Sequence, residues 1–168
     1  MKNLRILGVD PGSRMTGVGI IEVTGDRVIP VYFDAIKAGT GEFTERLGII
    51  FSGLQELIKE FQPDQAAIET VFVAHNAASA IKLGQARGAA VCAAISCGLP
   101  VSEYSPRSIK QAIVGRGGAD KGQVQHMVGL LLGIKEPIQN DAADALAVAL
   151  CHQHTSQTLA RMAMMQQA

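Results

Sequence analysis

The sequence has 168 residues and a formal net charge of zero; 48% of the residues are hydrophobic and 18% are charged. This length and apolar content are typical of one folded domain and argue against a disordered chain. Because we find neither an apolar run long enough to span a bilayer nor a basic-then-apolar leader, we expect a cytoplasmic protein without a membrane partner.

The first predicted element is a short buried strand at residues 4–10, which ends on the carboxylate of Asp10. Pro11 keeps Asp10 extended, and Gly12 permits a turn where a side chain would not fit. Residues 16–23 predict a second strand, in which two glycines leave part of the sheet without side chains. This bare backbone would let a metal ion and a phosphate approach closely, although a lone Asp-Pro-Gly is equally typical of a capped hairpin.

The next two elements differ in their hydrophobic period. Residues 27–36 alternate like a strand and follow a tight turn at residues 24–26. Pro30 removes a ladder donor, so we expect this strand at an edge of the sheet. From Glu42 to Phe61 the apolar residues recur at steps of three and four, which predicts a long amphipathic helix packed on the sheet.

Residues 65–69 predict another short strand that ends on a carboxylate, that of Glu69. A strand–helix–strand crossover normally returns parallel and adjacent, so this strand should lie beside the first one. Asp10 and Glu69 would then stand at the same end of neighbouring strands, where open α/β sheets bind ligands. This coincidence favours a functional site over a solvated strand end.

The second half of the chain is mostly helical. Residues 76–97 predict a helix rich in alanine and glycine, in which Gly84 and Gly88 allow close packing on the sheet or on another subunit. A short strand is predicted at residues 100–104, and Ser105 precedes a helix with proline in its first turn.

Two more helices are predicted, one capped by Asp120 and the last one by Asn140. Asp141 and Asp144 lie one helical turn apart and therefore face the same way. Acidic residues in a first turn often complement the helix dipole, but two on one face exceed that role. After His154 the core pattern disappears, so we place the domain at residues 1–154 and a flexible tail at residues 155–168.

The charges are unevenly distributed along the chain. Residues 1–69 contain seven basic and ten acidic side chains, whereas residues 70–140 contain seven and three. The protein can therefore carry a basic face around an acidic pocket. A local basic patch of this kind, rather than the net charge, is what contact with phosphates requires.

The order of the elements predicts an α/β protein with a ribonuclease H-like fold. Its five-stranded mixed sheet would have three antiparallel strands and two parallel ones, flanked by helices. In this fold the acidic residues come together: Asp10, Glu69, Asp141 and Asp144. Clustered carboxylates repel one another unless a cation lies among them, and a site without His or Cys ligands favours Mg²⁺ or Mn²⁺. Two such ions would activate water against a phosphodiester.

Several motifs resemble those of the RuvC family, the bacterial Holliday-junction resolvases. They lie at Gly8–Arg14, Ile68–Phe72, Lys82–Gly88, Lys121–Val128 and Asp141–Leu146. The resemblance implies a homodimeric, Mg²⁺-dependent endonuclease that nicks two opposed strands of a four-way DNA junction. It also implies a role beside the RuvA–RuvB branch-migration complex in recombination and repair.

The resemblance also implies roles for individual residues. The metal-binding acids of the family match Asp10, Glu69, Asp141 and Asp144. Phe72 matches an aromatic that stacks on a base near the crossover, and Lys110 and Lys121 match basic residues that contact DNA or assist at the scissile phosphate. His75 stands where some members carry a lysine that contacts phosphate. Arg14, just past the first carboxylate, is a further candidate phosphate ligand.

Other functions stay open at the level of sequence. The G-x-D-x-G hairpin also opens actin-like kinases and ATPases, although these need a second lobe. A YqgF-like nuclease that acts on RNA would have the same fold. A junction-binding protein without catalysis would share the DNA contacts.

Overall fold

The computed structural model describes residues 3–70 and 76–166. Five strands form one sheet in the order β3-β2-β1-β4-β5. Their bounds are β1 Leu4–Asp10, β2 Met15–Thr24, β3 Arg27–Lys37, β4 Gln65–Glu69 and β5 Val101–Tyr104. β1 pairs antiparallel with β2, and β4 runs parallel to β1 and β5. The predicted mixed sheet and the edge position of β3 are therefore confirmed.

The described residues form helices on both faces of this sheet. Their bounds are α1 Phe43–Phe61, α2 Ala77–Ser96, α3 Pro106–Val114, α4 Lys121–Leu132 and α5 Asn140–Gln166. α1 and α2 cover one face, whereas α5 covers the other and is itself covered by α3 and α4. In the described part of the chain, no helix has both the length and the apolarity needed to cross a membrane.

The starts of the later helices follow the sequence in two cases and differ in one. Ser105 accepts a hydrogen bond from the backbone N–H of Ser108, and Asp120 caps α4 in a capping box. Asn140, by contrast, is the first residue of α5, and its side-chain carbonyl accepts a hydrogen bond from Gln125 at 2.9 Å. The predicted cap at Asn140 is therefore wrong, because its side chain links α5 to α4 instead.

Strand alternation divides the core into two layers. Along β1, Ile6 packs in the layer of α5, whereas Leu7 and Val9 pack in the layer of α1 and α2. By the same alternation Gly8 and Asp10 face α5. The carboxylate that ends β1 thus points into the α5 layer.

α5 lies directly on the sheet backbone because glycines occupy the facing positions. A Cβ on Gly8 would lie 2.1 Å from the carbonyl oxygen of Ala145, and one on Gly17 would lie 2.0 Å from that of Asp141. Gly19 has a similarly close relation to α5. The sequence-based interpretation of this bare stretch as room for a metal ion and a phosphate is therefore wrong: a helix fills it.

α5 also continues past the predicted end of the domain. The helix runs to Gln166, and its residues from Thr158 onward are exposed. We expected a flexible tail after His154 because the core pattern stops there. The segment is rich in alanine, methionine and glutamine, which are strong helix formers, so the helix continues without burial.

Candidate active site

Two carboxyl groups meet at the ends of adjacent parallel strands. Val9 pairs with Ile68 in the parallel register of β1 and β4, which places Asp10 next to Glu69. The two side chains are partly buried and hydrogen-bonded to each other. The predicted meeting of these two strand ends is confirmed.

The first turn of α5 brings two more carboxylates to the same place. The backbone of Asp141 rests against Gly17, which is the pairing partner of Asp10 on β2. Asp141 and Asp144 both lie close enough to Asp10 to raise its pKa by electrostatic repulsion. We call these four residues the acidic cluster: Asp10, Glu69, Asp141 and Asp144.

Burial and mutual repulsion disfavour full ionisation of the acidic cluster. The pKa of Asp10 is raised to about 6, mainly by burial and also by the charges of Asp144 and Asp141, although the hydrogen bond from Glu69 lowers it. Burial, followed by the charge and the hydrogen bond of Asp10, raises the pKa of Glu69 to about 8. Without a bound cation, burial and the neighbouring carboxylate of Asp10 therefore favour the protonated form of Glu69, which can donate a hydrogen bond to Asp10.

Two lysines border the acidic cluster. The Lys121 ammonium lies 2.7 Å from a carboxylate oxygen of Asp144. This hydrogen bond raises the pKa of Lys121, whereas burial raises that of Asp144. Lys110 of α3 joins them in lining a cavity of about 180 Å³ that opens onto Glu69. Positive charge thus lies at the rim of the acidic cluster.

Within residues 3–70 and 76–166, no three His, Cys, Asp or Glu side chains are arranged to hold a metal ion. Instead, the side chains of Asp10 and Glu69 are hydrogen-bonded to each other, and Asp144 forms an ion pair with Lys121. The donor chemistry nevertheless fits a hard divalent cation, because the acidic cluster offers carboxylate oxygens alone. The raised pKa values of Asp10 and Glu69 reflect crowded negative charge, which such a cation would relieve.

The remaining predicted site residues are placed in part. Arg14 is exposed in the turn after β1, and its backbone carbonyl accepts a hydrogen bond from Ala38 at 2.9 Å. Arg14 thus lies in the turn that follows Asp10, with its side chain exposed. Phe72 and His75 lie outside the described residues.

Two side chains that shape the turn after Asp10 were missed in the sequence. The hydroxyl of Thr16, which is fully buried, donates to the carbonyl of Gly12 at 2.9 Å and accepts from its N–H at 3.3 Å. Arg46 of α1 donates to the carbonyl of Ser13 at 3.0 Å. A Thr after a Gly turn is a recognisable signal, but nothing near Arg46 in the sequence indicates a contact 33 residues away.

Comparison with known proteins decides the family. The family model for crossover junction endodeoxyribonuclease RuvC matches residues 6–152. The chain belongs to the RuvC family. The RuvC endonuclease of Methylococcus capsulatus is 55% identical over 161 residues, which cover 96% of this chain and 97% of the relative. That of Dichelobacter nodosus is 56% identical over 156 residues, with 93% and 89% covered.

Solved structures agree with this membership. Thermus thermophilus RuvC in complex with a Holliday junction substrate is 34% identical, with a TM-score of 0.86 over 92% of this chain and 96% of that one. The yeast mitochondrial Holliday junction resolvase, at 13% identity and a TM-score of 0.62, shares the fold. The predicted ribonuclease H-like fold is confirmed, and RuvC membership is favoured over the actin-like and YqgF-like alternatives.

Proposed function

We propose that this protein is a structure-selective endonuclease that resolves four-way DNA junctions by symmetric cuts on two opposed strands. The main support is the likeness to Thermus thermophilus RuvC, which was solved with a Holliday junction substrate and aligns over 92% of the chain. By family resemblance, the protein works in the cytoplasm, in recombination and repair, beside the RuvA–RuvB branch-migration complex.

The acidic cluster is the proposed metal site, with two Mg²⁺ ions as the natural cofactor and Mn²⁺ as a substitute. When bound, Mg²⁺ lowers the pKa of an attacking water and stabilises the leaving 3′-oxygen. The protein supplies the ligands from β1, β4 and α5, held together by the strand register and by the glycine contact with α5. Glu69 must release its proton for this, because a carboxylate and not a carboxylic acid binds such a cation.

The proposed DNA contacts are Lys110, Lys121, Arg14, Phe72 and His75. Lys110 and Lys121 lie at the rim of the acidic cluster and would neutralise the scissile phosphate or a neighbouring one. Arg14 is exposed in the turn that follows Asp10 and would hold a flanking phosphate. For Phe72, which would stack on a base at the crossover, and for His75, which would contact a phosphate, the support is the family resemblance.

A twofold dimer would supply the two cuts. One chain carries a single acidic cluster, whereas resolution of a junction needs two cleavage sites related by a dyad. The outward stripe of α2 suits such a contact: Ile81, Gly84, Gly88, Cys92 and Ile95. Ile81 is 63% exposed and Ile95 is 59% exposed. Apart from the nearby backbone of α2 itself, no described atom lies within 4 Å of a Cβ built on either glycine of the stripe, so a partner helix could pack closely there.

One cleavage experiment tests the proposed function. Wild-type protein should cut a synthetic four-way junction in Mg²⁺ but leave linear duplex and single-stranded DNA intact. Asp10→Asn should abolish cleavage while junction binding persists or tightens, since it removes a metal ligand and also a negative charge facing phosphates. The matched control is Asp26→Asn, an exposed carboxylate in the β2–β3 turn, which should cleave normally.

Two results would contradict the proposal. Cleavage of linear duplex at the same rate would remove the junction selectivity. Retention of more than about a tenth of wild-type turnover by Asp10→Asn, equivalent to a loss of no more than about 1.4 kcal/mol of transition-state stabilisation, would remove Asp10 from the metal site.

A further inference from the structure

Lys121 stands in an unfavourable place for helix stability. It is the first residue of α4, directly after the capping residue Asp120. A cation at a helix N-terminus is disfavoured by the helix dipole. The stability of α4 therefore does not explain a lysine at this position. Its contact with Asp144 suggests a role in the acidic cluster instead.

The Lys121–Asp144 contact occupies a carboxylate of the acidic cluster. The ammonium lies 2.7 Å from one oxygen of Asp144, whose side chain is 21% exposed, whereas the lysine side chain is 58% exposed. A flexible and half-exposed lysine can leave at little cost, because exposed ion pairs contribute about 0–1 kcal/mol. Asp144 itself is held in place by the buried part of α5.

A cavity beside this ion pair leaves room for the lysine side chain to move. Lys121, Asp144, Glu69 and Lys110 line one cavity of about 180 Å³. The ammonium can therefore swing away from Asp144 and still remain beside the acidic cluster. The negatively charged phosphate oxygens of bound DNA could then replace Asp144 as the partner of the ammonium.

We infer that Lys121 is a displaceable counter-ion, which pairs with Asp144 in the absence of a divalent cation and moves to a DNA phosphate when a cation binds there. The inference rests on the proposed metal site and adds a step to it. An ammonium and a metal ion compete for the same Asp144 oxygen. Since such coupling is reciprocal, DNA that captures the ammonium should also favour cation binding.

The test measures Mn²⁺ binding to the DNA-free protein by titration calorimetry or by the electron paramagnetic resonance signal of free Mn²⁺. Lys121→Met removes the charge but keeps roughly the length of the side chain, so the dissociation constant for Mn²⁺ should fall about three- to fivefold, as expected for loss of a half-exposed competitor. Lys121→Arg keeps the charge and should bind like wild type.

The control is Lys110→Met, which removes a charge from the same cavity but not one paired with Asp144. Its Mn²⁺ affinity should change less than about twofold, because charges that make no direct contact interact weakly near a solvated surface. Thermal melting of each variant shows that it is folded. DNA binding supplies a second measurement: Ca²⁺ should strengthen junction binding more in wild type than in Lys121→Met.

The outcomes separate the inference from the proposed function. Equal Mn²⁺ affinity in wild type and Lys121→Met would overturn the inference and leave the metal site in place. An equal gain in Lys110→Met would also overturn it, since the effect would then be general electrostatics. If no variant bound Mn²⁺ and wild type cleaved no junction, the metal site itself would be refuted together with the inference.

Discussion

The two faces of the sheet differ in how closely their helices approach it. On one face the backbone of α5 touches Gly8 and Gly17, with no side chain between them. On the other face α1 and α2 are separated from the strands by large buried side chains, among them Leu7, Ile50 and Leu54. The first face fixes the position of a backbone, whereas the second is a conventional hydrophobic core.

This difference has consequences for function. We call the face covered by α5 the close face. The first turn of α5 carries Asp141 and Asp144, so the distance between this helix and the sheet sets the distance from these carboxylates to that of Asp10. Leu and Ile side chains on the other face can adjust to small changes by changing rotamers. We therefore expect substitutions on the close face to affect catalysis strongly, and those on the other face to affect stability or assembly.

The most severe test of this comparison is Gly17→Ala. The added Cβ would lie 2.0 Å from the backbone oxygen of Asp141, which cannot move without moving α5. We expect a destabilisation of about 1–3 kcal/mol or more and loss of cleavage. Urea denaturation and the junction assay measure the two effects.

The matched control for this variant is Gly48→Ala on α1, where a Cβ meets nothing within 4 Å. It should gain about 0.5–1 kcal/mol, because alanine is the better helix former, and it should cleave normally. A Gly17→Ala protein that melts and cleaves like wild type would show that the close contact does not set the site.

The second test concerns the outer surface of the other face. Gly88→Leu places a bulky side chain in the middle of the exposed α2 stripe. If two such stripes pack together, the dissociation constant of the dimer should rise about tenfold or more, since overpacking costs about 1–3 kcal/mol. Sedimentation equilibrium measures the dimer, and the junction assay should then give single nicks. Gly48→Leu, outside the stripe, is the control; a monomeric Gly88→Leu protein that still makes paired cuts would contradict the dimer.

The third test uses the charges held on the close face. The folded pKa of Glu69, about 8, lies above its ordinary value of 4.5, mainly because of burial. The native state therefore binds a proton that the unfolded state has lost, and in EDTA the free energy of unfolding should fall as pH rises from about 4.5 to about 8. Urea midpoints across this range measure the slope.

Glu69→Gln should flatten this pH dependence above about pH 6, because the titrating group is absent, whereas Asp10, whose pKa is also raised, to about 6, still contributes at lower pH. Glu56→Gln, an exposed position on α1, should leave the slope as in wild type. Stability that rises with pH in EDTA, or a slope unaffected by Glu69→Gln, would mean that the carboxyl is not held protonated by the fold.

Local patterns in the sequence predicted most of the fold. The strand that ends on Asp10, the crossover and the strand that ends on Glu69 each follow from hydrophobic period and connection rules, and so does their meeting at one edge. These features depend on neighbours in sequence or on handedness. The position of Asp141 was predictable to its helix but not to its contact with Gly17.

The features that were missed depend on tertiary contact. Glycines in a strand predict a stretch of sheet without side chains, and the sequence does not show which helix packs against that stretch. The Lys121–Asp144 pair joins two helices, and the contact of Asn140 with Gln125 replaces a cap that its residue type predicts. Each depends on how α4 packs against α5, which no local pattern encodes.

The smallest expected effect is that of Tyr104→Phe, which tests whether the whole α5 face is equally sensitive. The Tyr104 hydroxyl lies 2.8 Å from Nδ1 of His152, whose Nε2 lies 2.8 Å from the side-chain oxygen of Gln65. Burial lowers the pKa of His152, so the neutral ring donates from Nε2 to Gln65 and accepts from Tyr104. Loss of the hydroxyl leaves Nδ1 without a donor and should cost about 1 kcal/mol in urea denaturation.

Cleavage by Tyr104→Phe should stay within about twofold of wild type. His152 lies eight residues beyond Asp144 on α5, a distance of about 12 Å along the helix, and no glycine contact links it to the acidic cluster. Tyr32→Phe removes the same hydroxyl from β3, in the layer of α1 and α2, and is the control. A large loss of cleavage with unchanged stability would show that the polar network positions α5 as firmly as the glycines do. Cleavage would then be sensitive to substitutions along the entire contact between α5 and the sheet.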